Sequence, residues 1–313
     1  MAFRILVTGS SGFIGSAVVS ALALAGHSVR AASRTQNTVA NHQSVEWAQL
    51  PDLESSVDWN SLVAGMDIVV HLAAIAHRSH GNKSQYERVN SIATAELAQA
   101  CRTQRVKRLI FMSSIGAQTG SAADDVVIET REPRPVTAYD FAKLAAEEEI
   151  KLSGVPFTIL RLVVVYGPGA KANIALITRL ASLPVPLPFG NFKNRRSLLS
   201  IDNLIQAIVF CLDGAATLNQ TFIVCDPEPI TLAELIATLR EAAGHPPWLI
   251  SVPLAVVKAV LLAAGQTQLW DRIGRELVAS SDKLVQAGWS PQIETRVGLR
   301  AMLKRPPGVP RPS

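Results

Sequence analysis

Val7-Thr8-Gly9-Ser10-Ser11-Gly12-Phe13-Ile14-Gly15 lies between a short apolar run and a segment rich in alanine and leucine. The run from Phe3 to Val7 reads as a strand closed by a turn signal, and Ile14 to Leu24 has the length and composition of a helix. The glycines therefore fall in a strand–turn–helix, the context that gives such a pattern meaning. Gly9 allows a tight turn, Gly12 lets a pyrophosphate approach the backbone, and Gly15 lets the helix pack close to the strand. Free amides and the positive end of the helix dipole then face phosphates. The spacing is Gly-x-x-Gly-x-x-Gly, one residue longer than the common Gly-x-Gly-x-x-Gly.

Downstream, strand and helix patterns alternate. Strands are expected at 28–33, 45–50, 67–72, 108–113 and 156–162, and helices at 86–102 and 139–152. This alternation predicts a doubly wound parallel sheet of the Rossmann type, with ligands at the carboxyl ends of its strands. The pattern changes after Tyr166-Gly167-Pro168-Gly169, where a helix over 173–183 leads into the stiff Pro184-Val185-Pro186-Leu187-Pro188 connector. Thr231 and Glu234 form a capping-box signature for a helix running to about Ala243. Residues 1–170 are expected to form the dinucleotide domain, with 196–226 returning to it. Residues 171–195 and 227–304 are expected to form a smaller substrate lobe, and 305–313 a frayed tail.

The formal charge of +5 comes from scattered Lys and Arg, so it suits a small anionic substrate and no nucleic acid. Three unpatterned cysteines predict neither disulfides nor zinc. His77 and His80 lack further ligands nearby, so no metal is expected, and His71 in its apolar strand reads as a satisfied core histidine. Asp124, Asp125 and Glu129 read as a solvated loop face. The apolar segment 253–265 is too short to span a membrane and carries Lys258, so it is expected as a buried or surface-packed helix. With no leader pattern before the first strand, the expected location is cytoplasmic.

The second strand ends at Ser33-Arg34 with no carboxylate. That offers a hydroxyl and a guanidinium to a 2′-phosphate, favouring NADP with NAD as the alternative. Tyr139 and Lys143 are spaced i, i+4 on one helix face, so the ammonium is expected to favour the phenolate and make Tyr139 a usable acid/base. Ser114, at the end of the preceding strand, adds a hydroxyl donor.

Thr8-Gly-x-x-Gly-x-x-Gly15, Asp67-Ile-Val-Val-His-Leu-Ala-Ala74, Asn90, Ser113-Ser114, Tyr139-x-x-x-Lys143, Arg161-Leu-Val-Val-Val-Tyr-Gly-Pro168 and Arg196-Ser-Leu-Leu-Ser-Ile-Asp202 occur in that order. Together they resemble the extended short-chain dehydrogenase/reductases, in the nucleotide-sugar epimerase, dehydratase and reductase branch. The resemblance implies that Gly9, Ser11, Gly12, Phe13, Ile14 and Gly15 cradle the pyrophosphate and that Leu72, Ala73 and Ala74 line the adenosine and nicotinamide side. It places Asp67 near the adenine, and gives Asn90 the support of the active-site backbone. It makes Ser114, Tyr139 and Lys143 catalytic, with Tyr139 and Lys143 also at the cofactor and Lys143 on the nicotinamide ribose; Asn173 and Arg196 grip the sugar's diphosphate, joined by Arg272 or, as the alternative, Arg275. A homodimer through the helices at 93–103 and 139–152 is likewise implied.

Dehydratases of this branch carry an acidic pair after the active-site Ser/Thr, where this chain has Ile115 and Gly116, so 4,6-dehydration is disfavoured. Leu162 and Gln118-Thr119-Gly120 are further departures, at the sixth strand and the sugar-pocket wall. The expected reaction is NADPH-dependent reduction of a UDP-4-keto-6-deoxy-HexNAc in surface polysaccharide biosynthesis. The alternatives are 4-epimerisation of UDP-glucose or UDP-N-acetylglucosamine and a non-catalytic NADP-binding sensor.

Overall fold

The computed structural model describes residues 2–36, 43–76, 82–265, 270 and 273–303. Strands β1 (Arg4–Thr8), β2 (Ser28–Ser33), β3 (Val45–Gln49), β4 (Ile68–His71), β5 (Arg108–Ser114), β6 (Phe157–Leu162) and, late in the chain, a seventh at Gln220–Val224 make one sheet. Its spatial order is seventh-β6-β5-β4-β1-β2-β3, and every pairing is parallel. Central strands read as continuous apolar runs because helices cover both faces; β4 is buried along its whole length. Helices α1 (Phe13–Leu24), α2 (Trp59–Val63), α3 (Lys83–Tyr86), α4 (Ala93–Thr103), α5 (Ile115–Thr119) and α6 (Ala138–Ser153) lie between these strands. The topological switch falls between β1 and β4, which opens a crevice at their carboxyl ends.

The helix expected over 86–102 is three pieces. A π-helical turn, Glu87–Ile92, separates α3 from α4. It carries the buried Asn90, whose side-chain amide bonds both N–H and C=O of Ile75 at 2.9 Å. That pairing to a distant backbone accounts for the extra residue in the turn.

Beyond β6 come β7 (Val164–Tyr166), α7 (Ala172–Ala181), β8 (Arg195–Arg196), β9 (Leu198–Ser200) and α8 (Ile201–Cys211). The Gln220–Val224 strand is β10; β11 (Ile230–Thr231), α9 (Leu232–Ala242), α10 (Leu254–Ala263), α11 (Asp282–Gln286) and α12 (Thr295–Leu303) follow. Residues 195–200 do not return to the main sheet: β8 pairs antiparallel with β11, and β9 pairs parallel with β7. The reason is length, since two- and three-residue strands can only form small ribbons. By contrast α8 packs on α1, and β10 pairs with β6.

Two apolar clusters sandwich the large sheet, and a third gathers Tyr166, Ile174, Phe192, Leu235 and Leu299. Tyr166 ties this third cluster to α8. Its hydroxyl donates to Asp226, whose other oxygen accepts from the Ser200 N–H and the Asn203 amide. Asn203 in turn holds the backbone of Gln292 and Ile293.

Thr137 and Asp140 form a full capping box at the start of α6, and Thr231 and Glu234 form one at α9. No residue of α10 is buried, so that apolar segment is a surface helix. No helix among the described residues is long and apolar enough to cross a membrane.

Candidate active site

The glycine turn is held by contacts that admit no side chain. Gly9 has φ +71°, and a Cβ there would lie 2.8 Å from the Ala73 nitrogen; one on Gly15 would collide with the Gly9 carbonyl oxygen. Close approach of backbone to backbone therefore fixes both residues as glycine. Gly12 caps α1 without a side chain, so no cap bond is made to the first-turn amides. These amides and the dipole of a 12-residue helix meet the crevice, which is the environment a pyrophosphate requires. A groove of about 570 Å³ between α1 and the start of α8, lined by Ser16, Ala17, Ser20, Ile201 and Asp202, reaches the outer side of the turn at Ser11 to Phe13 and is separate from the crevice above Gly9. Phe13 and Ile14 pack their side chains on the core beneath. Leu72, Ala73 and Ala74 leave β4 directly opposite Gly9. These features fit a dinucleotide.

Ser114 ends β5 and caps α5, its Oγ accepting the Gly116 N–H at 3.0 Å. Tyr139 stands in the first turn of α6, close enough to Ser114 for that hydroxyl to favour its phenolate. Its ring also meets the edge of Tyr86, centroids 6.0 Å apart. Burial pushes the Tyr139 phenol up to about 12, opposed by the Ser114 hydroxyl. The expected help from Lys143 is not what this geometry provides. The Lys143 ammonium turns back to β5, donates to the Met112 carbonyl at 2.8 Å and sits 4.5 Å over the Phe111 ring. Burial draws it down to about 8, while Glu147 one turn on works to raise it. Desolvation thus dominates the titration of both groups.

Other expectations change. The Ser33 hydroxyl is buried, donates to the Thr35 carbonyl at 2.8 Å and accepts from Trp47 Nε1 at 3.1 Å. It is committed inside the protein, which leaves the exposed Arg34 as the group of that pair open to a ligand. Asp67 lies at the opposite end of the sheet from the crevice. Its carboxylate accepts the Arg4 N–H at 2.9 Å and pairs with Lys107, so it is not at the adenine. Glu129 is not a solvated face: it accepts the Ile223 N–H at 2.7 Å and staples its loop to β10, while Asp125 pairs with Arg131.

Asn173 stands in the first turn of α7, half-buried. Arg196 donates to the carbonyls of Arg275 and Ser121 at 2.9 and 3.0 Å; it makes no ion pair among the described residues, and burial draws it down to about 10. A half-buried cation held only by carbonyls favours an anion beside it. Arg272, His77, His80 and 305–313 lie outside the described residues.

Beneath the site lies a buried polar network. Glu147 accepts from Ser113 Oγ and from Arg161 Nη2, the latter at 2.6 Å. Arg161 also donates to the Gln118 side-chain carbonyl. Gln118 in turn holds both ends of the 131–134 turn. Its side-chain amide donates to the Arg131 carbonyl at 2.7 Å, and its backbone carbonyl accepts the Arg134 N–H at 2.8 Å. Gly116 is closed by Asp140, whose Oδ1 occupies the space that a Cβ would need. Sequence reasoning missed Glu147, Tyr86 and Asp140, and it read Gln118 as part of the sugar-pocket wall and not of this network. Only Asp140 left a signal, as the third residue after a Thr cap.

The sequence profile of the NAD dependent epimerase/dehydratase family matches residues 5–225. The chain belongs to that family. A UDP-glucose 4-epimerase of Vibrio cholerae is 33% identical over 308 residues, covering 95% of this chain and 93% of that protein. Among solved structures, MoeE5 in complex with UDP-glucose and NAD is 25% identical, with TM-score 0.74 and coverage of 96% of this chain and 97% of the other. A UDP-glucuronic acid 4-epimerase from Bacillus cereus in complex with NAD shares the fold at TM-score 0.76 and 22% identity, covering 96% and 97%. Membership makes the chain an NAD-dependent enzyme of the epimerase/dehydratase type.

Proposed function

We propose that this enzyme is a UDP-hexose 4-epimerase that keeps NAD bound through turnover. The observation that carries the reading is that Ser114, at the carboxyl end of β5, and Tyr139, in the first turn of α6, are brought close enough for the Ser114 hydroxyl to favour the phenolate. The full-length similarity to the Vibrio cholerae enzyme supports it. The Gly116 N–H takes one lone pair of the Ser114 oxygen and leaves its proton to be donated to Tyr139 or a sugar O4. Tyr139 removes the O4 proton as C4 is oxidised and returns it when C4 is reduced from the other face. A bound dinucleotide supplies the hydride acceptor and donor, and its oxidised ring adds a positive charge that favours the phenolate. Lys143 is assigned to its ribose. Arg196 and Asn173, in the lobe assigned to 171–195 and 227–304 with the β8 ribbon, are assigned to the sugar diphosphate. Dehydration would need a carboxylate where Asp140 leaves Gly116 no room.

A second reading, reduction of a UDP-4-keto-6-deoxy-HexNAc by NADPH, is favoured by one observation: β2 ends without a carboxylate and with an exposed Arg34 able to meet a 2′-phosphate. Supplying UDP-glucose, UDP-N-acetylglucosamine and the keto sugar separately decides between them. C4 inversion without net cofactor use supports epimerisation. Stoichiometric NADPH oxidation with the keto sugar alone would replace it by reduction, and dinucleotide binding without turnover on any of them would leave the sensor reading. We assign the outer faces of α4 and α6, the latter with Phe141 and Leu152 exposed, to a homodimer, which sedimentation would measure.

A further inference from the structure

Thr8 ends β1, His71 ends β4, and Thr94 and Asn90 lie on α4 and the π-helical turn; all four are shut off from solvent. Their hydrogen bonds can run in one direction only. Thr94 spends its proton on the Asn90 carbonyl at 2.9 Å, so its oxygen must accept from His71 Nε2 at 3.2 Å. Thr8 Oγ1 accepts the Ala73 N–H at 3.2 Å and shares the Leu72 N–H, at 3.2 Å, with the Thr8 backbone carbonyl at 3.3 Å. The imidazole proton therefore lies on Nε2, and the Thr8 proton goes to His71 Nδ1 at 2.7 Å. The Asn90 side chain closes the chain on Ile75.

Each end of this chain of bonds carries a part of the dinucleotide crevice. Thr8 immediately precedes Gly9, Leu72 to Ile75 form the facing edge, and Gly9 already touches the Ala73 backbone. We propose that His71, fixed as the tautomer protonated on Nε2, is a positioning residue that holds the glycine turn and the 72–75 segment at the spacing a dinucleotide needs. The rings of Trp59 and Phe111 pack against His71, and Lys143 on α6 is the charged group that faces it. Burial first, and Lys143 second, draw the imidazole down to about 3, in keeping with a ring that must accept at Nδ1. The inference rests on the crevice being a dinucleotide site.

The test uses the full chain saturated with NAD. Nitrogen-15 NMR of labelled histidine should show one imidazole protonated on Nε2 and unchanged from about pH 5 to 8, across the ordinary histidine range. Thr94→Val keeps the shape and removes the acceptor; it should weaken NAD binding by about tenfold, as one lost buried hydrogen bond would, with UDP affinity unchanged. His71→Leu should weaken it further, and His71→Asn, which restores an acceptor for Thr8, should recover part of the loss. A folded Thr94→Val protein with wild-type NAD affinity overturns the inference, as does protonation on Nδ1 or titration near pH 6. If His71→Leu does not fold, the spectrum and Thr94→Val still decide. Failure of the wild type itself to bind NAD would instead sink the dinucleotide reading.

Discussion

The Lys143 ammonium lies 4.5 Å above the Phe111 ring, buried on α6 against β5, with the Met112 carbonyl as its acceptor. A ring face and one carbonyl replace little of an ammonium's hydration, which is why burial draws Lys143 from 10.5 to about 8. Between those values the unfolded chain holds a proton that the folded chain has released. Stability attributable to Lys143 therefore rises with pH across that window, and below about pH 8 the cost of the buried charge is felt in full. Lys143→Met should lack this rise. Measured by urea unfolding without cofactor, the stability of wild type relative to the variant should increase by roughly 3 kcal/mol from pH 8 to 10.5.

Tyr139→Phe and Ser114→Ala test the chemistry separately from binding. Each should lower kcat by about 10²- to 10⁴-fold, the range for loss of a positioned acid or base. NAD affinity should change little, because neither hydroxyl is part of the glycine turn. Steady-state kinetics alongside a fluorescence titration of NAD makes the measurement. A variant losing affinity and rate together would place these groups in the crevice wall instead.

The features legible in the sequence were those written locally. An apolar run, three glycines and a helix former sufficed for β1, the turn and α1, and a Thr cap with i, i+4 spacing sufficed for α6. What escaped depends on partners distant in the chain. The π-helical turn at Asn90 answers to Ile75, and the Ser33 hydroxyl is taken by Trp47 from the next strand. The partners of the Lys143 ammonium escaped for the same reason. Spacing along α6 brings it to the Tyr139 face, but the carbonyl and ring that capture the ammonium belong to β5. Short segments such as 195–200 carry too few residues for a period to show which sheet they join.

Gly116 and Asp140 give a third prediction. A Cβ at 116 would run into Asp140 Oδ1, and the same carboxylate caps α6 by accepting the Thr137 N–H at 2.9 Å. Gly116→Ala should therefore destabilise the protein by about 1–3 kcal/mol through overpacking. Asp140→Ala alone should cost about 1 kcal/mol as a lost cap. The double variant should cost less than the sum, since the second change removes the obstacle; thermal unfolding of the four proteins gives the coupling. Strict additivity would mean that the carboxylate swings clear of the site.

The last prediction concerns the buried pair Glu147–Arg161, whose side chains are 0% and 4% exposed. Two charges this deep recover their lost hydration through each other, through Ser113 and Gln118, and for Glu147 through the nearby Lys143 ammonium. Glu147→Leu alone leaves Arg161 charged and unpaired, and should cost about 3–5 kcal/mol. Glu147→Leu with Arg161→Met removes both charges and should recover most of that stability in urea unfolding. Activity should not recover with it. Arg161 orients Gln118, and Gln118 holds the 131–134 turn that leads into the Thr137 cap of Tyr139's helix. A stable but slow double variant is therefore the expected outcome, with kcat lowered more than NAD affinity. If the double variant were as active as the wild type, the pair would serve only the packing of α6 on β6, and the placement of Tyr139 would have to come from the capping box alone.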